Sequence, residues 1–147
     1  MSIEVSGRER LGNLLVARGL ISREQLEEGL KIQEKEPNLL LGEILQEIAG
    51  ITEDDIVETI LLQYNMPFLP LSNYHAAPEL LKQISKDFAR ENHFFPLEKD
   101  DDVLSIVTVN PFNNGAVAEL EKRFNCRVRC FLGRLPDVRE AINKFYG

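Results

Sequence analysis

Residues 11–33 and 41–63 superpose at an offset of 30 residues without a gap. Leu11 falls on Leu41, Gly12 on Gly42, Leu15 on Leu45, Ile21 on Ile51, Glu28 on Glu58 and Gln33 on Gln63. Self-similarity at such a period marks a duplicated supersecondary unit whose two copies bury a face against each other. The first half of the chain is therefore expected to repeat one packing solution twice.

Each copy reads as a helical hairpin. Residues 8–18 carry apolar side chains at Leu11, Leu14 and Leu15, and Gly19 supplies a left-handed stop. Ser22 with Gln25 three residues on forms a capping box, opening a helix with Leu26, Leu30 and Ile32 that runs to about Glu34. After Glu36-Pro37-Asn38 the pattern returns. Leu41, Ile44, Leu45 and Ile48 form one face, Ala49-Gly50 the stop and Thr52 with Asp55 a second cap, and a fourth helix ends near Met66-Pro67.

Pro67 and Pro70 make an extended connector, which predicts a boundary between a lobe at 1–66 and a second lobe at 67–147. In the second lobe, residues 78–84 and 85–91 read as short helices. A hairpin is expected to pair 94–97 with 103–109 across residues 99–102, followed by a helix over 116–124, a strand over 126–132 and a last helix over 135–146. The predicted class is α+β: two tandem helical hairpins, then a small α/β lobe with a short mixed sheet.

Charge narrows the function. Residues 1–66 hold 6 Lys and Arg against 13 Asp and Glu, whereas residues 67–147 hold 11 of each, so the net charge of -7 is N-terminal. Affinity for a polyanion scales with the basic side chains that neutralise it, which disfavours nucleic acid as a partner. Residues 23–34 and 53–64, the second helices of a helix-turn-helix reading, are acidic where a DNA-reading helix is basic. No window approaches the roughly 20 apolar residues of a membrane span, and the N-terminus lacks a secretion signal, so a cytoplasmic location without membrane insertion is expected. Cys126 and Cys130, roughly 13 Å apart at about 3.3 Å per residue of strand, lie beyond disulfide reach and read as reduced thiols.

Catalytic constellations are missing from the sequence. No glycine is followed by lysine, so there is no phosphate-binding loop for ATP. His75 and His93 do not stand at metal-ligand spacing to the cysteines, and the run Asp100-Asp101-Asp102 reads as a solvated turn. A non-enzymatic role follows. Lys122, Arg123, Arg127, Arg129 and Arg134 form a basic stretch, either simply solvated or facing an acidic partner surface. The repeated glycine is the remaining oddity, because glycine inside a helix costs about 1 kcal/mol relative to alanine. It implies either close helix packing or a bare backbone on which a flat ligand lies, with Arg10 stacking on it or forking to it.

Arg10-Leu11-Gly12, the apolar Leu15 and Val16, Gly19-Leu20-Ile21, Leu26, Leu30 and Gln33 resemble the signature repeat of the N-terminal domain of the ATPases that drive type II secretion and type IV pilus assembly. The likeness continues more loosely through Tyr64-Asn65-Met66-Pro67-Phe68 and Asn110-Pro111 to Phe145-Tyr146-Gly147. In that family the repeat occurs in tandem, and some members use the pair to bind cyclic di-GMP. The resemblance implies a ligand set of Arg10, Leu11, Gly12, Leu15, Gly19 and Gln33 from the first repeat with Leu41, Gly42 and Gln63 from the second. It also implies docking to an inner-membrane platform protein and an ATPase motor domain in cis or in trans. The second repeat departs from the signature: Leu40 stands where the arginine belongs, Ala49 replaces the turn glycine, and Gly50 and Gln46 occupy apolar positions. Cyclic di-GMP binding is therefore expected to be weakened or lost, leaving protein docking as the first reading and nucleotide sensing as the second.

Overall fold

A computed structural model describes residues 7–64, 66–71, 74, 77–110 and 114–146. The chain divides into two compact units, Met1–Asn65 and Met66–Gly147.

The first unit holds α1 (Gly7–Ala17), α2 (Arg23–Lys35), α3 (Leu41–Ala49) and α4 (Glu53–Gln63). Local chemistry sets their ends. Ser22 Oγ accepts the Gln25 N–H at 3.1 Å while Gln25 Oε1 accepts the Ser22 N–H at 2.9 Å. Thr52 and Asp55 repeat this exchange at 3.1 and 2.9 Å. A cap of this kind contributes about 1 kcal/mol. Leu40 has no side-chain oxygen, so α3 opens on half a box, the Leu40 N–H donating to Glu43 Oε1 at 3.0 Å.

At the end of α1 the Gly19 N–H donates to the Val16 carbonyl at 2.9 Å and the Leu20 N–H to the Leu15 carbonyl at 3.0 Å, with Gly19 at φ 74°. That is a Schellman stop, which needs a left-handed residue. In the second repeat, the turn glycine missing at Ala49 is replaced one position later. Gly50 takes φ 72°, and α3 runs on to Ala49. Helix α4 ends at Gln63, short of the expected Met66-Pro67, because Tyr64 already has an extended backbone (φ -124°, ψ 128°) while its N–H closes the helix on the Ile60 carbonyl at 2.9 Å.

The core of this unit is built from equivalent positions. Leu15 and Leu45, Ile21 and Ile51, and Leu26 and Ile56 are buried in both copies, together with Leu41, Ile44 and Ile60 of the second. The two glycines explain how the hairpins close. A Cβ at Gly12 would lie 2.2, 3.0 and 3.2 Å from three atoms of the buried Leu26 side chain, and one at Gly42 would lie 3.0 Å from Ile56 Cδ1. Leu26 and Ile56 are themselves repeat equivalents, so the same small-against-large contact joins α1 to α2 and α3 to α4.

The second unit comprises α5 (Pro78–Gln83), α6 (Lys86–Glu91), β1 (Phe94–Asp100), β2 (Val103–Thr108), α7 (Asn114–Phe124), β3 (Arg127–Leu132) and α8 (Leu135–Tyr146). The sheet order is β1-β2-β3, with β1 antiparallel and β3 parallel to β2. The mixed sheet arises because a two-residue turn, Asp101-Asp102, joins β1 to β2, whereas β2 reaches β3 by a crossover through α7. Strand β1 is longer than the expected 94–97. A register shift between Pro96 and Glu98 absorbs one residue and lets Lys99 and Asp100 pair with Leu104 and Val103. Helix α7 begins at Asn114 rather than 116. Strand β3 begins at Arg127 rather than Cys126, since Asn125 takes φ 51° and the Cys126 N–H turns back to the Glu121 carbonyl at 3.3 Å as part of the helix stop.

Phe94, Phe95, Leu104, Ile106, Val107, Leu120, Val138 and Ile142 centre the core here. Phe95 stacks near Phe145 and Tyr146 at ring separations of 5.6 and 6.3 Å. The Tyr146 hydroxyl donates to the Ile84 carbonyl at 2.9 Å, tying α8 to the end of α5, and Tyr74 donates to the Leu97 carbonyl at 3.1 Å. Burial pushes the Tyr146 hydroxyl up to about 12, and burial followed by the charge of Glu98 raises that of Tyr74.

Two outcomes are expected. Alanine at position 12 gains about 1 kcal/mol of helix propensity but displaces a fully packed leucine, an overpacking cost of about 1–3 kcal/mol. Gly12→Ala should therefore lower stability while Gly42→Ala is neutral or stabilising, and urea midpoints of the two variants check the ordering. The raised tyrosine favours the neutral hydroxyl in the fold, so its contribution is complete below pH 10 and is lost as pH rises through about 12. Melting temperature should fall across that window, and less steeply in Tyr146→Phe.

Candidate functional site

The residues that sequence reasoning groups around a ligand divide by burial. Leu15 and Leu41 are buried in the core and Gly12 is buried against Leu26. Leu11 and Gly42 are half-buried. Arg10 is exposed in the first turns of α1, Gly19 is exposed at the α1 stop, and Gln63 is exposed as the last residue of α4. Gln33 is half-buried on α2, its Nε2 donating to the Leu39 carbonyl at 3.0 Å. That bond pins the segment joining the hairpins, so Gln33 is brought close to the start of α3 where Leu41 and Gly42 stand. Of the whole set, Arg10, Gly19 and Gln63 are the exposed members. Close packing, the first of the two explanations for the repeated glycine, is the one that the space around Gly12 supports, whereas Gly42 is bounded only by the end of the Ile56 side chain.

The structure also assembles a polar node that the repeat comparison did not single out. Thr59 is fully buried on α4; its hydroxyl donates to the Asp55 carbonyl at 2.7 Å and accepts Arg18 Nη1 at 2.7 Å. Arg18 Nη2 lies 3.6 Å from Glu58 Oε1. At the equivalent positions stand Ile48 for Arg18 and Gly29 for Thr59. The signal was legible as two places where the copies differ in polarity, and the fold makes them meet. Arg18 thereby joins the end of the first helix to the last helix, closing the four-helix unit.

In the second unit the basic stretch lies around one edge of the sheet. Lys122 and Arg123 are exposed in the last turn of α7, and Arg127 and Arg129 are exposed on β3. Arg129 lies 4.9 Å over the Phe131 ring and Arg134 5.6 Å over Phe68, so two of these cations rest on aromatic faces. Cys126 and Cys130 are free and half-buried, and burial, with Glu121 second, pushes the Cys130 thiol up. His93 is half-buried at φ 53° immediately before β1, while His75 lies outside the described residues. Among the described residues no three His, Cys, Asp or Glu side chains converge as metal ligands, and no helix is long and apolar enough to cross a membrane.

The MshEN domain model matches residues 64–147, more than half of the chain and the part whose sequence likeness is the looser. The chain belongs to the MshEN domain family. This is the N-terminal domain of type IV pilus and type II secretion ATPases. Over 137 residues the chain is 27% identical to the type IV pilus assembly ATPase PilB of Myxococcus xanthus, covering 93% of this chain and 24% of that protein. It is 26% identical over 123 residues to PilB of Thermus thermophilus, covering 82% of this chain and 14% of that one. The chain thus spans a quarter or less of the length of these relatives. Among solved structures, the N-terminal domain of XpsE superposes with a TM-score of 0.74 at 17% identity, covering 99% of this chain and 100% of that one. MshE with cdg (cyclic di-GMP) superposes at 0.69 and 23% identity, covering 92% and 98%. The α+β architecture of this MshEN domain is the fold of those neighbours.

Thr59 provides a direct test of the polar node. Thr59→Val keeps the shape but leaves the Arg18 guanidinium without its buried acceptor, and should cost about 1–2 kcal/mol. Thr59→Ser, which keeps the hydroxyl, should cost less, and paired denaturant titrations measure the difference.

Proposed function

We propose that this MshEN domain is a non-catalytic docking and regulatory module of a type IV pilus or type II secretion system. In this reading it works in the cytoplasm beside an ATPase motor domain, in cis or in trans, and contacts an inner-membrane platform component. The observation that carries it is the use made of the repeated Leu-Gly positions. The space at Gly12 is filled by Leu26, that at Gly42 is bounded by Ile56, and Leu15 and Leu41 are core, so these positions serve packing. The sequence lacks a phosphate-binding loop, which assigns ATP chemistry to another domain. A docking module needs stable surfaces rather than a cleft, and the basic edge of the second unit offers one.

The second reading is a cyclic di-GMP sensor built on Arg10, Gly19 and Gln33 with Gln63, in the surroundings of Leu11, Leu15, Leu41 and the two glycines. It is favoured by the fold likeness to MshE with cdg and by the complete first repeat. Against it stands Leu40 in place of a second arginine. Loss of one stacked, charge-assisted contact weakens binding on the order of a hundredfold.

Calorimetric titration of cyclic di-GMP into the chain, with Arg10→Ala beside it, separates the two. The docking reading expects no heat at high micromolar ligand, together with retention of the domain by the cytoplasmic part of a platform protein. Micromolar binding abolished by Arg10→Ala would move the domain to the sensor class.

A further inference from the structure

Strand β3 closes one side of the sheet, and its pairing on the other side is short. The Leu132 N–H donates to the Pro67 carbonyl at 2.8 Å and the Leu69 N–H donates to the Leu132 carbonyl at 2.9 Å, so the connector makes a single parallel bridge at Phe68. On the opposite side, the Arg127 N–H donates to the Asp102 carbonyl at 2.8 Å, toward β2. Main-chain groups alternate in direction along a strand. Cys130 and Val128 therefore present their N–H and C=O groups to the same outer side as Leu132, and among the described residues none pairs with them there. The edge is ready to continue a ladder that the connector begins.

Charge says what would continue it. From Lys122 to Pro136 the sequence contains Lys122, Arg123, Arg127, Arg129 and Arg134 and no acid, with Glu121 and Asp137 at its limits. Arg127 and Arg129 are exposed and alternate with Val128 and Cys130, the residues whose main-chain groups point to the outer side. Arg129 is held over Phe131 rather than paired with a carboxylate in that contact.

We infer that the outer edge of β3 is a docking site for an extended, acidic segment of a partner protein, added as a strand along Val128–Cys130 and held by Arg127 and Arg129. Main-chain hydrogen bonds supply the register, and carboxylates at alternate positions of the incoming segment meet the arginines. This site deepens the docking reading, because it names a surface and a partner chemistry for it. Binding is expected to weaken with salt, since both arginines are solvent-exposed.

The test uses the whole 147-residue chain and a blocked, fluorescent octapeptide alternating threonine and glutamate, with a threonine–lysine version and a glutamate version N-methylated at alternate residues. By anisotropy, the glutamate peptide should bind at least about tenfold tighter than either control, a difference of about 1.4 kcal/mol. Binding should fall at least tenfold in Arg127→Glu/Arg129→Glu, a variant whose melting temperature is checked first. Amide exchange at Val128 and Cys130 should be slower in the complex than in the free chain. Absence of glutamate-peptide binding, equal binding of the N-methylated or lysine peptide, or exchange at Val128 and Cys130 that does not change would each overturn the inference. Because no platform protein enters this measurement, failure here leaves the docking reading to its own test.

Discussion

The approach of α1 to α2 across Gly12 is the contact on which the helical unit depends. Leu26 occupies the volume that a side chain at position 12 would need, and this lets Leu15 and Leu26 be almost wholly buried between two short helices. Isolated helices of this length are marginal in water, so their stability comes from the face they bury. The duplication then reuses the contact as Gly42 against Ile56, with a looser fit. Left-handed glycines at 19 and 50 return each chain segment at the distance this packing requires.

Two copies of a hairpin do not by themselves make one unit. The junction between them is asymmetric. Gln33 fastens the connecting segment through the Leu39 carbonyl, and Arg18 reaches Thr59 from the far end of α1. A polar pair can hold such a junction because the buried hydroxyl is satisfied on both sides, as donor to Asp55 and acceptor from Arg18. The divergent pair Arg18 and Thr59 thus joins the first helix to the last, while the shared Gln33 and the shared Leu41 and Leu45, which face Gly29 of α2, serve the junction between the hairpins.

The second unit meets a different constraint, the management of a three-stranded sheet. Strand β1 is bulged and followed by an acidic turn, and β2 is buried in the centre. The connector and two arginines flank β3. Exposed charge on an edge strand discourages pairing with unselected chains, and the same charge selects a partner of opposite sign. Protection and recognition are compatible readings of one surface because both follow from repulsion of like and attraction of unlike charge.

Most of the architecture was legible in the sequence. The offset of 30 residues, the caps at Ser22 and Thr52, the glycine stops and the prolines of the connector are local signals, and local backbone chemistry decides where helices begin and end. The profile of apolar positions likewise marked Leu15, Leu26, Leu41, Ile44 and Leu45 of the core, although Leu11, Leu14, Leu30, Ile32 and Ile48 on the same helices are only half-buried. The sequence misplaced the end of α4, the start of α7, the length of β1, which is set by a bulge and by pairing with β2, and the start of β3, which is set by the left-handed Asn125. Only tertiary structure shows what stands beside the repeated glycine, Leu26 at Gly12 and Ile56 at Gly42, because the pattern Leu-Gly is the same whether the empty volume faces solvent or a neighbouring side chain. Tertiary structure equally makes Arg18 and Thr59 meet and turns the main-chain groups of Val128 and Cys130 to the outer edge, since partners 41 residues apart and the two sides of a strand exist only once the chain has folded.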